Sequence, residues 1–206
     1  MQKEIEMLAK KANMEVLSMN PNDRKTLAEV FNKIQESSSK LMSIDDYDNV
    51  GTAYFHMLAL EMSNDDKINY VMTVNSFYCF TKAIEKKPTD FTLKRKRLML
   101  YEDYRKQFNE LVTCALDIDL NPMHNIGMPP VWMKVRDAIY KMEIVDFFDS
   151  DKKLQEDWAC KSRKPQYEKM IKENFFHNET IDSLKAEGKT NIMKCIKWLD
   201  SCYSEY

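Results

Sequence analysis

Glycine occurs three times in 206 residues, at Gly51, Gly127 and Gly188, and no two lie near each other. Loops that cradle phosphate, of the Walker or the dinucleotide type, need closely spaced glycines so that backbone N–H groups can reach the anion. No such loop can be written in this chain, which excludes the common nucleotide-dependent enzymes. Proline is almost as scarce: Pro21, Pro88, Pro122, Pro129, Pro130 and Pro165 punctuate long stretches of Met, Leu, Lys, Glu and Ala, all good helix formers. Long apolar runs are missing as well, so no stretch approaches the roughly 20 residues of a membrane span. The first residues, MQKEIEMLAKKANMEVL, alternate charge with apolar side chains and do not read as a secretory signal.

Cys79, Cys114, Cys160, Cys195 and Cys202 are odd in number, widely spaced and without a C-x-x-C pair. This argues against a disulfide framework and against a structural zinc site, and predicts reduced, mostly buried thiols in a cytoplasmic protein. His56, His124 and His177 are isolated, and none belongs to an H-E-x-x-H array. The stretch DSDKKLQEDWAC, from Asp149, begins like a calcium loop but has Leu154 where the tight turn needs glycine and Cys160 where the bidentate acid belongs. No nucleophile stands at a recognisable motif spacing. Catalytic residues, cofactor and metal are therefore all expected to be absent.

What is present is an ordinary globular composition, 44% hydrophobic and 31% charged, with a net charge of −2. The chain is long enough for one sizeable core. Apolar residues recur at helical spacing, and the expected class is all-α in one domain over residues 1–206, with a subdivision into 1–120 and 131–206 at the irregular stretch DLNPMHNIGMPPVW, residues 119–132. Helices are predicted over about 2–19, 23–42, 49–62, 66–87, 90–103, 104–119, 131–148, 151–161, 165–177 and 189–203. The acidic DDYD before residue 49 reads as a connection. The segment 66–87 is apolar almost all round and should be a central, buried helix.

AIEKKP, residues 83–88, preceded by Phe80 and the small Ser76, resembles the end of a tetratricopeptide repeat, in which a small residue and an aromatic of the second helix pack into the first and a proline stops the unit. LYEDYRKQFNELVTCALDIDLNP, residues 100–122, is similar to a following unit. Pro88 and Pro122 lie 34 residues apart, and about 34 is the period of this repeat. Ala83 and Ala115 are 32 apart, so prolines and alanines do not keep one register, and the glycine usual in the first helix is missing from both units, with bulky or charged residues in its place. The resemblance covers residues 49–122 and implies stacked antiparallel helix pairs; the other arrangement consistent with the pattern is an irregular helical bundle.

Within this region Lys94, Arg95, Lys96 and Arg97 form a basic run. Successive helical side chains step by about 100°, so the four sweep around the axis and do not form one patch. Residues 82–106 carry nine Lys or Arg against four Asp or Glu, a local +5 that leaves −7 for the remainder. That is too little for a protein built around a phosphate backbone and better suited to an acidic protein or peptide partner. The resemblance implies a non-catalytic binding scaffold whose first helices, 49–62 and 90–103, line a concave surface, with Tyr54, Met57, Lys94, Arg97 and Tyr101 as its contacts. The other reading is a structural subunit that buries an apolar face in an oligomer or larger complex. If the basic run is merely a solvated face, the binding surface moves to the 119–132 stretch or the C-terminal helices.

Overall fold

The computed structural model describes residues 43–59, 66–118, 130–150, 152–173, 175–177 and 179–204. The predicted helices 2–19 and 23–42, and most of the 119–132 stretch, lie outside them. The described residues form eight helices and no strand: α1 (Ile44–Ala59), α2 (Asp66–Lys86), α3 (Phe91–Asp103), α4 (Arg105–Ala115), α5 (Pro130–Phe148), α6 (Lys152–Glu156), α7 (Arg163–Lys172) and α8 (Ile181–Ser204). The all-α class therefore holds. The chain divides into two compact units after Leu100, within α3.

In the first unit α1 and α2 pack along each other as a hairpin. α1 starts five residues earlier than its apolar stripe suggests. The Ser43 hydroxyl accepts from the Asp46 N–H at 3.1 Å while the Asp46 carboxylate accepts from the Ser43 N–H at 3.2 Å. This reciprocal capping box satisfies two otherwise orphaned donors and draws the acidic DDYD segment into the first turns, where carboxylates face the positive helix end. Gly51, near the start of the predicted helix 49–62, becomes the eighth residue of α1, so a glycine does stand in the interior of the first helix of the hairpin. A Cβ there would lie 2.9 Å from the Cys79 Cβ and from the Phe80 ring, and the Ser76 hydroxyl donates to the Gly51 carbonyl at 3.1 Å. Lys87 ends α2 by donating its N–H to Ala83 O and Ile84 O, Pro88 follows, and the Asp90 carboxylate caps α3 through the Leu93 N–H at 3.1 Å. As expected of a helix apolar around its circumference, α2 buries Met72, Phe77, Cys79, Phe80, Ala83 and Ile84.

In the second unit α8 runs back along α5, and α4 packs against both. α8 begins at Ile181, eight residues before the predicted start, with Thr180 as its cap: its Oγ1 accepts from the Ser183 N–H at 3.2 Å. Gly188, which reads as a helix breaker in the sequence, is an interior residue used for close approach, since a Cβ on it would lie 2.1 Å from the Lys141 carbonyl oxygen. The predicted helix 151–161 shortens to α6 followed by turns at 157–162, and α7 begins at Arg163 with Pro165 in its first turn, where its missing N–H costs nothing.

Two stability outcomes follow from these contacts. Phe80 is fully buried, and Phe80→Ala should lower the unfolding free energy by ~3–5 kcal/mol in a denaturant titration. Gly188→Ala should cost ~1–3 kcal/mol although alanine is the better helix former, because backbone of α5 must yield; Gly51→Ala, whose Cβ would meet the Cys79 Cβ and the Phe80 ring at 2.9 Å rather than a carbonyl at 2.1 Å, should cost less.

Candidate functional site

Three of the five sequence-predicted contact residues lie in the interior. Tyr54 and Tyr101 are fully buried and Arg97 is 5% exposed. The physical reason is helix phase: Tyr54 lies one turn beyond Gly51 on the side of α1 that faces α2, Tyr101 packs edge-on to Phe108 at 4.8 Å between ring centres, and the Arg97 guanidinium donates to the Thr81 hydroxyl at 2.9 Å. Lys94 is half-buried, and the side chain of Met57 lies outside the described residues.

The basic run is thus partly internal. Lys96 donates to the Asp48 carboxylate at 2.9 Å and to the Thr52 hydroxyl at 2.6 Å, with its ammonium 5.6 Å from the centre of the Phe80 ring. Burial, and then the Lys96 charge, hold the His56 imidazole below its ordinary pKa. Arg97 and Lys96 tie α3 to α2 and α1, and the half-buried Lys94 and Arg95 keep the remaining positive charge nearer the surface.

Large apolar side chains are exposed elsewhere, in the second unit. Trp132 is 53% and Met133 46% exposed on the first turn of α5. Two depressions meet there at Val131. One, of about 460 Å³, is lined by Lys106, Asn109, Thr113, Trp132 and Val135 between α4 and α5; the other, of about 730 Å³, lies between the end of α4, α5 and α8. At its rim Asp117 adopts a left-handed φ of 52°: the Ile118 N–H reaches back to Thr113 O at 3.1 Å and the Asp117 N–H to Cys114 O, a helix stop that glycine usually provides.

Three helices beneath this surface converge on one buried carboxylate. Glu143 of α5, 3% exposed, accepts from Arg105 Nη2 at 2.7 Å and from the Tyr167 hydroxyl at 2.9 Å, so α4, α5 and α7 share one polar junction. The Arg105 guanidinium also lies over the Tyr140 ring, 4.9 Å from its centre. Burial pushes the Glu143 carboxyl above the usual carboxylate range, and the Arg105 charge with the Tyr167 and Arg105 hydrogen bonds offsets part of that. The same burial, with the Glu143 charge, raises the Tyr167 phenol, and burial raises the Cys195 thiol to about 12, so neither is a nucleophile near neutral pH. Lys141 is clamped by Glu187 at 2.7 Å and Glu179 at 3.2 Å; burial opposes its charge, but the two carboxylates prevail and hold its pKa above the ordinary value. Among the described residues no three of His, Cys, Asp and Glu group closely enough to hold a metal ion, and no helix is long and apolar enough to cross a membrane.

Trp132 sits at the end of the stretch that the sequence marks as an alternative surface, and its exposure is legible only once α5 has a phase. Asn191 and Lys194, which line the larger cleft, carry no sequence signal, being polar residues on a long amphipathic helix.

Because the Glu143 carboxyl titrates above its unfolded value, the folded state holds a proton that the unfolded state has released, and stability falls as pH rises above about 4.5 through the folded pKa. Glu143→Gln removes this titration. Denaturant midpoints across pH 4 to 7 should therefore move in favour of the variant with rising pH; parallel profiles would show an ordinary carboxyl.

No family model matches the chain, and no curated protein or solved structure shows significant similarity to it.

Proposed function

We propose that the chain is a non-catalytic helical scaffold that binds a protein or peptide, and that the start of α5 is its contact surface. The observation that carries this reading is the pair Trp132 and Met133, large apolar side chains exposed on consecutive positions beside a groove of about 460 Å³. Exposed aromatic anchors next to a groove dominate binding energy at many interfaces, and solvent exposure of both residues brings the isolated chain no stability. The tetratricopeptide-like reading is supported for the α1–α2 hairpin by Gly51 seated against Phe80, by the hydrogen bond from Ser76 to the Gly51 carbonyl, and by Pro88 after the second helix. An acidic partner fits the excess of Lys and Arg over residues 82–106, while at the groove Lys106 is matched by Glu110.

The test is affinity capture from the native host with wild type beside Trp132→Glu and Lys94→Glu, partners being identified by mass spectrometry and the fold checked by circular dichroism. Trp132→Glu should weaken capture by roughly 30-fold, the effect of losing an anchor worth about 2 kcal/mol, and Lys94→Glu by much less. An unchanged partner list for Trp132→Glu would remove α5 as the contact surface. A solution mass well above 24.5 kDa that falls back in Trp132→Glu would make the surface an interface between copies of the chain.

A further inference from the structure

α7 is attached to the second unit differently from its neighbours. α5 buries an apolar stripe that includes Ile139, Met142 and Phe147, and α8 one that includes Leu184, Cys195 and Leu199. Between the buried Cys160 and Phe176, by contrast, only Arg163 and Tyr167 are buried among the described residues; Met170 and Ile171 are half-buried, and most of the rest are exposed. At ten residues α7 is also shorter than the roughly 12–15 at which a helix becomes marginal by itself in water, so it persists only while packing holds it.

The two attachments are unequal. The Arg163 guanidinium pairs with the carboxylate of Glu102, which is 52% exposed, and exposed pairs contribute little; its other terminal nitrogen donates to Ala159 O at 2.7 Å, within the same segment. Tyr167 is 1% exposed. Its ring stands edge-on to Phe147 at 5.3 Å between centres and lies 6.2 Å from Phe148, while its hydroxyl donates to Glu143 at 2.9 Å. The hold on α7 therefore passes chiefly through one side chain. Without Tyr167, Glu143 keeps its bond from Arg105 at 2.7 Å, so α4 stays joined to α5, and α8 keeps its backbone contact with α5 at Gly188. Segments with few buried apolar contacts and mostly exposed backbone bonds are the first to open in a folded protein.

We propose that α7 is a strap pinned by Tyr167, which opens as a unit while α4, α5 and α8 stay folded, and so uncovers the Phe147 ring with the Glu143 carboxylate beside it. The open form presents an apolar surface and a hydrogen-bond acceptor that the closed form hides. This device goes beyond the scaffold reading and stands whether or not Trp132 anchors a partner.

The experiment is native-state hydrogen exchange of the full chain, followed by NMR in a series of urea concentrations below the unfolding transition. After correction for intrinsic rates, the backbone amides of residues 167–172 should exchange about 100-fold or more faster than those of Ile139, Met142, Cys195 and Leu199. Their exchange should barely respond to urea, because lifting a strap exposes little surface, whereas the α5 and α8 amides should speed up steeply. Tyr167→Ala removes the pin: the α7 amides should lose their protection while those of α5 and α8 retain theirs in part, and trypsin should cut first after Lys169 or Lys172. If that variant does not fold, the urea series on wild type decides alone. One shared rate and urea slope for α5, α7 and α8, or an α7 that stays protected in Tyr167→Ala, would overturn the proposal.

Discussion

Backbone contact between α5 and α8 at Gly188 governs the second unit. With no side chain at that position the Lys141 carbonyl comes within what would be bonding reach of a Cβ, and the two helices meet through main chain. Such an approach leaves no room for Lys141 to lie between them, so its stem passes to one side, where Phe176 lies below the ammonium and Glu179 and Glu187 close on it. The same contact sets the phase of α8. Asn191 and Cys195, three and seven residues further on, turn inward toward the first half of α5, whereas Lys194 stays at the rim. The cleft is a consequence of that geometry.

The second unit also spends much of its charge internally. Glu143 would be expensive to bury alone, and its cost is offset by two donors arriving from different helices, Arg105 and Tyr167. A junction of this kind adds less to net stability than an apolar contact of the same size, but it tolerates one alignment of three helices and penalises others. At the edge, Lys185 and Lys189 meet Asp149, and their hydrogen bonds outweigh burial to hold its carboxyl below the ordinary range. In the first unit Lys96 and Arg97 do comparable work between α3 and the α1–α2 hairpin. Groups that look like a docking patch in one dimension are fastenings in three.

Large apolar side chains remain on the surface that fastening does not consume. At the start of α5 the side chains divide between the two depressions, with Val131 common to both, so the exposed Trp132 and the larger cleft lie within one helical turn of each other. The helices around it are held in fixed phase by the glycine contact and the buried junction at Glu143.

The all-α class, the buried α2 and most helix positions could be read from residue order alone, because apolar periodicity, scarce glycine and proline punctuation are local properties of the chain. The early starts of α1 and α8 were partly legible too: Ser43 with Asp46 and Thr180 with Ser183 carry capping patterns, though acidic and glycine residues beside them read more readily as connections. Helix phase was not legible to better than a residue or two, and one residue turns a side chain by about 100°. That is why Tyr54, Arg97 and Tyr101, expected on a surface, lie in the interior, and why the exposure of Trp132 could not be read from the stretch that ends on it. Local sequence determined which segments are helices. Which face of each helix meets water and which charges are paired depend on residues tens of positions apart, and were decided by tertiary packing.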